Sequence, residues 1–280
     1  MADMLVDYTG KAWFALPNGH RSKSGIIKED EIVNFGEWVE EEDSEYLPFD
    51  VADAKDLSGV SFSTKTKGDA SGTNKDRVEI KSKFDLLRVY LTGIAITSPD
   101  KVVWVKSSEP GCNATAEKGC TLTYATGAKI GGYVSKYVTT NYGNVFVQPK
   151  KLVRKTKFIQ IMGGIDTFPV PAAGAFFGIM DFDVDIIIRG FAYNPSVLEQ
   201  AGQGYDVKAW ADGSVLTGTL QVRNADTINT EKEQAITDAA GTFLAAGDEF
   251  KFEVDAHEGA APDTGMAAFS LIYDEVPKFN

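Results

Sequence analysis

The sequence predicts an all-β protein, and two kinds of observation support this class. Apolar and polar residues alternate with a period of two in several short runs, which is the period of a β-strand. Turn-forming residues interrupt these runs at short intervals, as at Thr126-Gly127 and Gly131-Gly132. Many short strands with frequent turns are typical of sandwiches and barrels. We therefore expect a small β-barrel-like domain followed by a β-sandwich, with an extended acidic region at the N-terminus.

The strands are predicted in order along the chain. DLLRVYLTGIAITSPDKVVWVKSS has two β-branched runs joined by Ser98-Pro99-Asp100, where proline restricts one dihedral and aspartate tolerates a tight bend. CTLTYATGAKIGGYVSKYVTTNYGNVFVQP repeats this pattern, with Tyr142-Gly143-Asn144 as a further separator. DFDVDIIIRGF alternates strictly, which places Phe182, Val184, Ile186 and Ile188 on one strand face. Residues 225–245 fit either a helical turn or two or a loop that crosses the end of a sheet.

Glycine, proline and alanine accumulate in IMGGIDTFPVPAAGAFFG, residues 161–178, which indicates a linker. We expect an extended acidic arm at residues 1–80, a small β-barrel-like domain at 81–160, a linker at 161–175 and a β-sandwich at 176–280.

Charge divides the chain unevenly. The chain has a formal net charge of −12, and this overall charge disfavours binding of the protein to nucleic acid. Residues 28–56 have roughly twelve acidic groups and about two basic ones, whereas residues 65–157 have roughly seventeen basic and about seven acidic groups. The two segments can attract each other, within one chain or between copies, or they can be two solvated surfaces.

The N-terminal residues lack the positive region of a secretory signal, and no apolar run of about 18 residues is present. We therefore expect a protein that is made in a cytoplasm and does not bind a membrane. Cys112 and Cys120 can staple a loop, but a reducing cytoplasm favours two free thiols.

The sequence predicts no catalytic residue, no cofactor and no metal site. Its two histidines, His20 and His257, lie in polar, glycine-flanked contexts that are typical of exposed loops. Asp181-x-Asp183-x-Asp185 resembles the start of a calcium loop, but the required glycine is missing. The enzyme alternative is a hydrolase that uses two carboxylates.

Four aromatic residues and one basic run are candidates for binding surfaces. We expect Trp104, Tyr133, Tyr137 and Trp210 to be core or interface residues, in preference to a sugar-stacking platform. The run KKLVRKTKF, residues 150–158, lacks nucleic-acid-binding motifs, and it favours either a lysine-guarded edge strand or a face that docks onto an acidic partner.

The C-terminal third has the order DVDIIIRGFAY, NPSVLEQAGQG, YDVKAWADGSVL, NADTINTEKEQ and AAGDEFKFEVDAHEGAAPDTGMAAFSLIYDE. This layout resembles a jelly-roll β-sandwich module that recurs in virion proteins of tailed bacteriophages. In that likeness, Gly247-Asp248 introduces a strand with Phe250, Phe252 and Val254, and Gly265 precedes a last strand with Phe269, Leu271 and Tyr273. We expect these two runs to close a hairpin. A weaker likeness relates residues 86–148 to the small barrels of phage head-decoration proteins, with Ile130-Gly131-Gly132-Tyr133 at the turn that closes the sheet.

The resemblance implies a non-enzymatic structural virion protein of a tailed bacteriophage, made in the host bacterial cytoplasm. The expected role is capsid decoration: the protein binds the major capsid protein or another virion protein and forms a homo-oligomer, expected to be a homotrimer. Alternatives are a neck, tail or baseplate component, and a receptor- or glycan-binding module that uses loops 194–204 and 257–265. The candidate docking residues are Trp13, Phe14, Phe35, Trp38, Lys150, Lys151 and Arg154. The aromatic members of this set can equally fill the core of an N-terminal subdomain.

Overall fold

The structure is a computed structural model that describes residues 3–8, 12–16, 22–34, 36–52, 55–63, 65–66, 77–91, 100–108, 120–139, 142–163, 170–199, 201–237, 239, 242–259 and 266–279. These residues form β-strands, turns and irregular segments, with no α-helix among them. The predicted all-β class, with a barrel and a sandwich, is confirmed. By its internal contacts the chain divides into two compact units: Met1–Lys151 with Lys278–Asn280, and Leu152–Pro277.

The described residues of the first unit form fourteen strands, which are β1 (Asp3–Tyr8), β2 (Ala12–Leu16), β3 (Ser22–Ile27), β4 (Ile32–Val33), β5 (Trp38–Glu42), β6 (Glu45–Pro48), β7 (Leu57–Ser61), β8 (Lys65–Thr66), β9 (Arg77–Lys81), β10 (Phe84–Tyr90), β11 (Val102–Val105), β12 (Cys120–Thr121), β13 (Lys129–Thr139) and β14 (Tyr142–Lys150). Those of the second unit form ten, which are β15 (Val153–Gly163), β16 (Phe176–Met180), β17 (Ile186–Val197), β18 (Gln203–Ala211), β19 (Ser214–Val215), β20 (Leu220–Arg223), β21 (Lys232–Ala235), β22 (Phe243–Leu244), β23 (Phe250–Gly259) and β24 (Met266–Glu275).

A closed barrel in the first unit joins its strands in the order β3-β6-β5-β7-β9. All five strands lie between residues 22 and 81, in the part of the chain that was expected to be extended. The acidic run makes a hairpin there, because Asp43 and Ser44 both have positive φ, 50° and 70°, as a two-residue turn between twisted strands requires. Asp-Ser is a weak signal for such a turn, so the hairpin was not predicted.

A seven-stranded sheet in the same unit has the order β1-β2-β10-β14-β13-β11-β12. Thr126-Gly127 lies in a turn, as predicted. The prediction of a turn at Gly131-Gly132 was wrong, because both glycines are buried inside β13. They are needed for close approach: an added Cβ would lie 2.8 Å from the Trp38 ring at Gly131 and 2.1 Å from the Phe146 carbonyl oxygen at Gly132. Of the predicted turn at Ser98-Pro99-Asp100, only Asp100 lies within the described residues, and its φ is 69°.

The second unit is a sandwich of two sheets, ordered β15-β24-β17-β21 and β16-β23-β18-β19. Strand β22 also pairs with β17, and β20 also pairs with β18. The pairs β15·β24, β16·β23, β17·β21 and β18·β20 are those of a long antiparallel ribbon folded over on itself, which is the topology of a jelly roll. The predicted sandwich type is therefore present in this unit.

The predicted C-terminal hairpin was wrong. Strands β23 and β24 lie in different sheets: β23 pairs with β16 and β18, and β24 pairs with β15 and β17. The two alternating runs face each other across the core, where the rings of Phe252 and Phe269 are 6.0 Å apart. The predicted inward residues Phe250, Phe252, Val254, Phe269, Leu271 and Tyr273 all belong to the buried cluster of this unit.

Two further segments differ from the sequence expectation. The strand predicted over DFDVDIIIRGF begins at Ile186, since residues 181–185 form a bend and an irregular stretch. Residues 225–245 contain the short strands β21 and β22, and their described residues include no α-helix, with Thr242 in a 3₁₀ conformation. The division of the chain at residues 80, 160 and 175 remains a proposal.

Candidate docking surface

The aromatic residues proposed for docking lie in different parts of the structure. Trp38 is fully buried and belongs to a core cluster with Phe84 and Val105, so its ring fills the core, which was the alternative considered for it. Trp13 and Phe14 lie in β2, whose backbone pairs with β10. Phe35 lies outside the described residues.

The basic residues proposed for docking fall in two places. Lys150 and Lys151 line a cleft of the first unit, with a volume of about 810 Å³. Arg154 lies in the second unit on β15, where its Nε donates to Asp274 Oδ1 at 2.5 Å. The structure therefore brings Lys150 and Lys151 together and assigns Arg154 to a separate ion-pair network.

The cleft lies against the barrel. Strands β3, β5 and β7 and the end of β14 supply its walls, together with the turn between β5 and β6 and the segment between β9 and β10. Five lysines, three carboxylates and three serines are among its lining residues, which are Lys23, Glu41, Asp43, Ser44, Lys55, Asp56, Leu57, Ser58, Ser82, Lys83, Gln148, Pro149, Lys150 and Lys151. The cleft is thus predominantly basic although it borders the most acidic segment of the chain.

Three of the five lysines have carboxylate partners. Lys151 Nζ lies 2.5 Å from Asp56 Oδ2, and this hydrogen bond raises the pKa of Lys151 above its ordinary value. Lys55 Nζ lies 2.5 Å from Glu42 Oε1, and Lys23 Nζ is 4.0 Å from Glu41 Oε2. Hydrogen bonds from Lys28 and then Lys55 lower the pKa of Glu42. The Asp56–Lys151 pair joins the acidic segment 28–56 to the basic segment 65–157 within one chain.

Lys83 and Lys150 differ from the other three lysines, because within the described part of the chain neither has a carboxylate within ion-pair distance. Unneutralised ammonium groups in a concave surface attract anions and bind carboxylate or phosphate oxygens by charge-assisted hydrogen bonds. The chemistry available to this cleft is therefore anion recognition.

Arg154 contributes to a network that is structural in character. Asp274 on β24 has a side chain only 8% exposed, and its two oxygens accept bonds from Arg154 Nε and Arg189 Nε at 2.5 and 2.6 Å. These contacts connect β15, β24 and β17 across one sheet. Among the described strands β15 lies at the edge of this sheet, and Lys155 and Lys157 lie on it, as a lysine-guarded edge strand requires.

Sequence reasoning missed Lys23, Lys55 and Lys83 as members of the cleft. Lys55 lies inside the acidic segment, where a lone lysine gives no signal of its own. Only the barrel topology brings these residues to Lys150 and Lys151, so no local pattern could have identified them.

The histidines, cysteines and tryptophans of the sequence prediction lie partly outside the described residues. His257 lies on β23, half-buried, with Nε2 3.1 Å from the Pro171 carbonyl oxygen, and so it is not the exposed loop residue expected. Cys120 is buried, whereas His20 and Cys112 lie outside the described residues. Trp104 and Tyr133 are buried as expected; Trp210 is half-buried and donates its indole N–H to Glu253 at 2.7 Å.

In the described ranges no three or more His, Cys, Asp or Glu side chains are grouped to hold a metal ion. The described residues also include no helix that is long and apolar enough to span a membrane.

No family model matches the chain, and no curated protein matches it. Among solved structures, the chain is similar to a chain of a nora virus structure, with 10% identity over 54% of this chain and 76% of that one and a TM-score of 0.25. It is also similar to a chain from the infectious bursal disease virus Gx strain, with 12% identity over 96% and 73% and a TM-score of 0.26. A third similar chain is the D431N mutant VP2 protein of infectious bursal disease virus in derived T=1 particles, with 12% identity over 95% and 77% and a TM-score of 0.25. These structural neighbours are viral, but TM-scores this low are below those that chains of one fold give. The function must therefore be argued from the chain's own residues.

Proposed function

We propose that this protein is a non-enzymatic structural component of a virus particle. The observation that carries the proposal is the jelly-roll topology of the second unit, an architecture that viral capsid proteins share with lectins and cupins. The sequence order of the C-terminal third supports the same role through its resemblance to virion modules. A basic cleft adds an anion-binding surface through which such a protein can dock.

The more specific role that we propose is decoration of the head of a tailed bacteriophage, after synthesis in the cytoplasm of the bacterial host. The partners are the major capsid protein and further copies of this chain, arranged as a homotrimer. Association of this kind needs shape-complementary apolar area together with complementary charge. The cleft at Lys150 and Lys151 supplies charge, and the exposed apolar side chains of Ile26, Ile32 and Phe158 supply area.

A neck, tail or baseplate position is the alternative within the same class, because it requires the same kinds of docking surface. The location of the protein in the particle distinguishes the two. An antibody against the purified protein should label isolated virus particles in electron micrographs, on the head surface for decoration and at the tail for the alternative. Particles that contain no labelled protein would contradict the virion role.

Self-association is tested separately, by light scattering on a sizing column at roughly 50 mM and 500 mM salt. We expect a mass of three chains at low salt and partial dissociation at high salt, since exposed ion pairs are screened. A mass of 30.3 kDa under both conditions would contradict the homo-oligomer.

A further inference from the structure

We propose that the basic cleft of one copy binds an acidic turn of a second copy of this chain. The turn is Lys28-Glu29-Asp30-Glu31, which connects the barrel strand β3 to β4. The inference rests on the self-association proposed above and identifies the two surfaces that make it.

The turn has a defined shape, because the N–H of Glu31 donates to the carbonyl of Lys28 at 3.2 Å and Asp30 has a φ of 64°. Glu29 and Asp30 are exposed at its tip, and Glu31 is half-buried. The side chain of Lys28 is bonded to Glu42 on β5, which fixes the base of the turn to the barrel. A turn that is already ordered loses little conformational entropy when it binds.

Apolar residues flank the acidic tip on both sides. Ile26 on β3 is 40% exposed, and Ile32 on β4 is 52% exposed. Acidic groups alone would be screened in water, but a contact that also covers two isoleucines removes apolar surface from solvent. The two isoleucines thus add apolar area to the contact that the acidic tip makes.

The cleft offers the complementary charge. Lys83 and Lys150 have no carboxylate partner among the described residues, and the partner of Lys151, Asp56, has a side chain that is 48% exposed. In the described part of the chain the carboxylates paired with cleft lysines are Asp56, Glu41 and Glu42, and none belongs to the turn. Because no residue of the turn lines the cleft of its own chain, the acidic tip that enters the cleft comes from another copy.

Charge reversal on each side, followed by rescue, tests the contact. The variants are Lys83→Glu with Lys150→Glu, Glu29→Lys with Asp30→Lys, and the four substitutions combined. Either pair alone places like charges together, and we expect it to weaken self-association about 100-fold. The combined variant restores opposite charges, and we expect its mass by light scattering to return to that of the unmodified protein.

The matched control is Lys136→Glu with Lys278→Glu, which changes the net charge equally at two exposed lysines that do not line the cleft. We expect it to retain the unmodified mass, and circular dichroism checks that each variant is folded. Oligomers that survive both reversals, or reversals that the combination does not rescue, would overturn this contact and leave the proposed virion role intact. A monomeric unmodified protein would overturn both the contact and the homo-oligomer, while particle labelling would still decide the virion role.

Discussion

Gly132 brings the backbones of neighbouring strands so close that no side chain fits between them. It lies in β13, paired with Val147 on β14 and Val103 on β11, and a Cβ atom would lie only 2.1 Å from the carbonyl oxygen of Phe146. A backbone oxygen cannot move aside as the end of a side chain can.

We therefore predict that Gly132→Ala destabilises the first unit by about 2–4 kcal/mol, because it overpacks a central strand. Urea unfolding followed by circular dichroism measures the change. Gly202→Ala is the matched control: its φ is 77°, but nothing lies within 4 Å of the added Cβ, so we expect only about 1 kcal/mol from backbone strain. Equal losses for the two variants would contradict the argument from close approach.

Side-chain type predicted burial well at some residues and poorly at others. The inward alternation of Phe250, Phe252 and Val254 was readable because a strand in a sandwich shows one face to the core. Trp38 could not be assigned, since a tryptophan within an acidic run fits a docking surface and a core position equally well. Its ring is buried against the seven-stranded sheet, where it lies beside Gly131 and shares a core cluster with Phe84 and Val105, and all three residues are distant from it in sequence.

At the scale of elements, the turn that follows β20 is held by Asp226. Its carboxylate accepts hydrogen bonds from the hydroxyl of Tyr193 on β17, from the N–H of Arg223 at 2.6 Å and from Lys232 Nζ at 2.9 Å. Desolvation disfavours its ionised form, but the bonds from Tyr193 and Lys232 outweigh this effect and lower the pKa of Asp226 below its ordinary value of 3.8. The turn thus connects the two sheets of the sandwich through one ionised group.

A lowered pKa in the folded state means that Asp226 stabilises the fold above its unfolded pKa, and that this stability is lost as pH falls through the folded value. We predict that Asp226→Asn costs about 1–3 kcal/mol near pH 6, through lost charge-assisted bonds. We also expect its urea midpoint to fall less than that of the unmodified protein between about pH 4 and pH 2. Asp181→Asn, at an exposed position, is the control and should retain the original pH dependence. Parallel pH profiles for Asp226→Asn and the unmodified protein would contradict this role.

Strand existence was predictable at this scale, whereas strand pairing was not. The runs that became β23 and β24 were identified by their alternation, yet alternation states only which face is buried. The short connection between the two runs favoured a hairpin. Instead, β23 pairs with β16 and β18 in one sheet, and β24 pairs with β15 and β17 in the other. The cleft was unpredictable for the same reason, since the pairing of β3 with β6 and β9 brings Lys23 near residues that are distant in sequence.

At the scale of the whole molecule, the second unit is a compact part of the chain with a buried cluster of its own. Its buried cluster is built from residues between 177 and 273, and its first and last strands, β15 and β24, pair with each other over ten residue pairs. The terminal strands of this jelly roll pair with each other, and the buried cluster with its aromatic rings is built from residues of the second unit.

We predict that a fragment of residues 152–277 folds alone and unfolds cooperatively in urea. Trp210 is the only tryptophan in this fragment, so its fluorescence reports the transition directly. A matched fragment of residues 152–265 lacks β24 and leaves β15 without its partner, and we expect it to be unfolded. A 152–277 fragment without a cooperative transition would show that the second unit depends on the first.

The fragment also lacks both the basic cleft and the acidic turn, so we expect it to be monomeric at concentrations where the full chain associates. A fragment that associates as strongly as the full chain would place self-association in the jelly roll and not in the barrel.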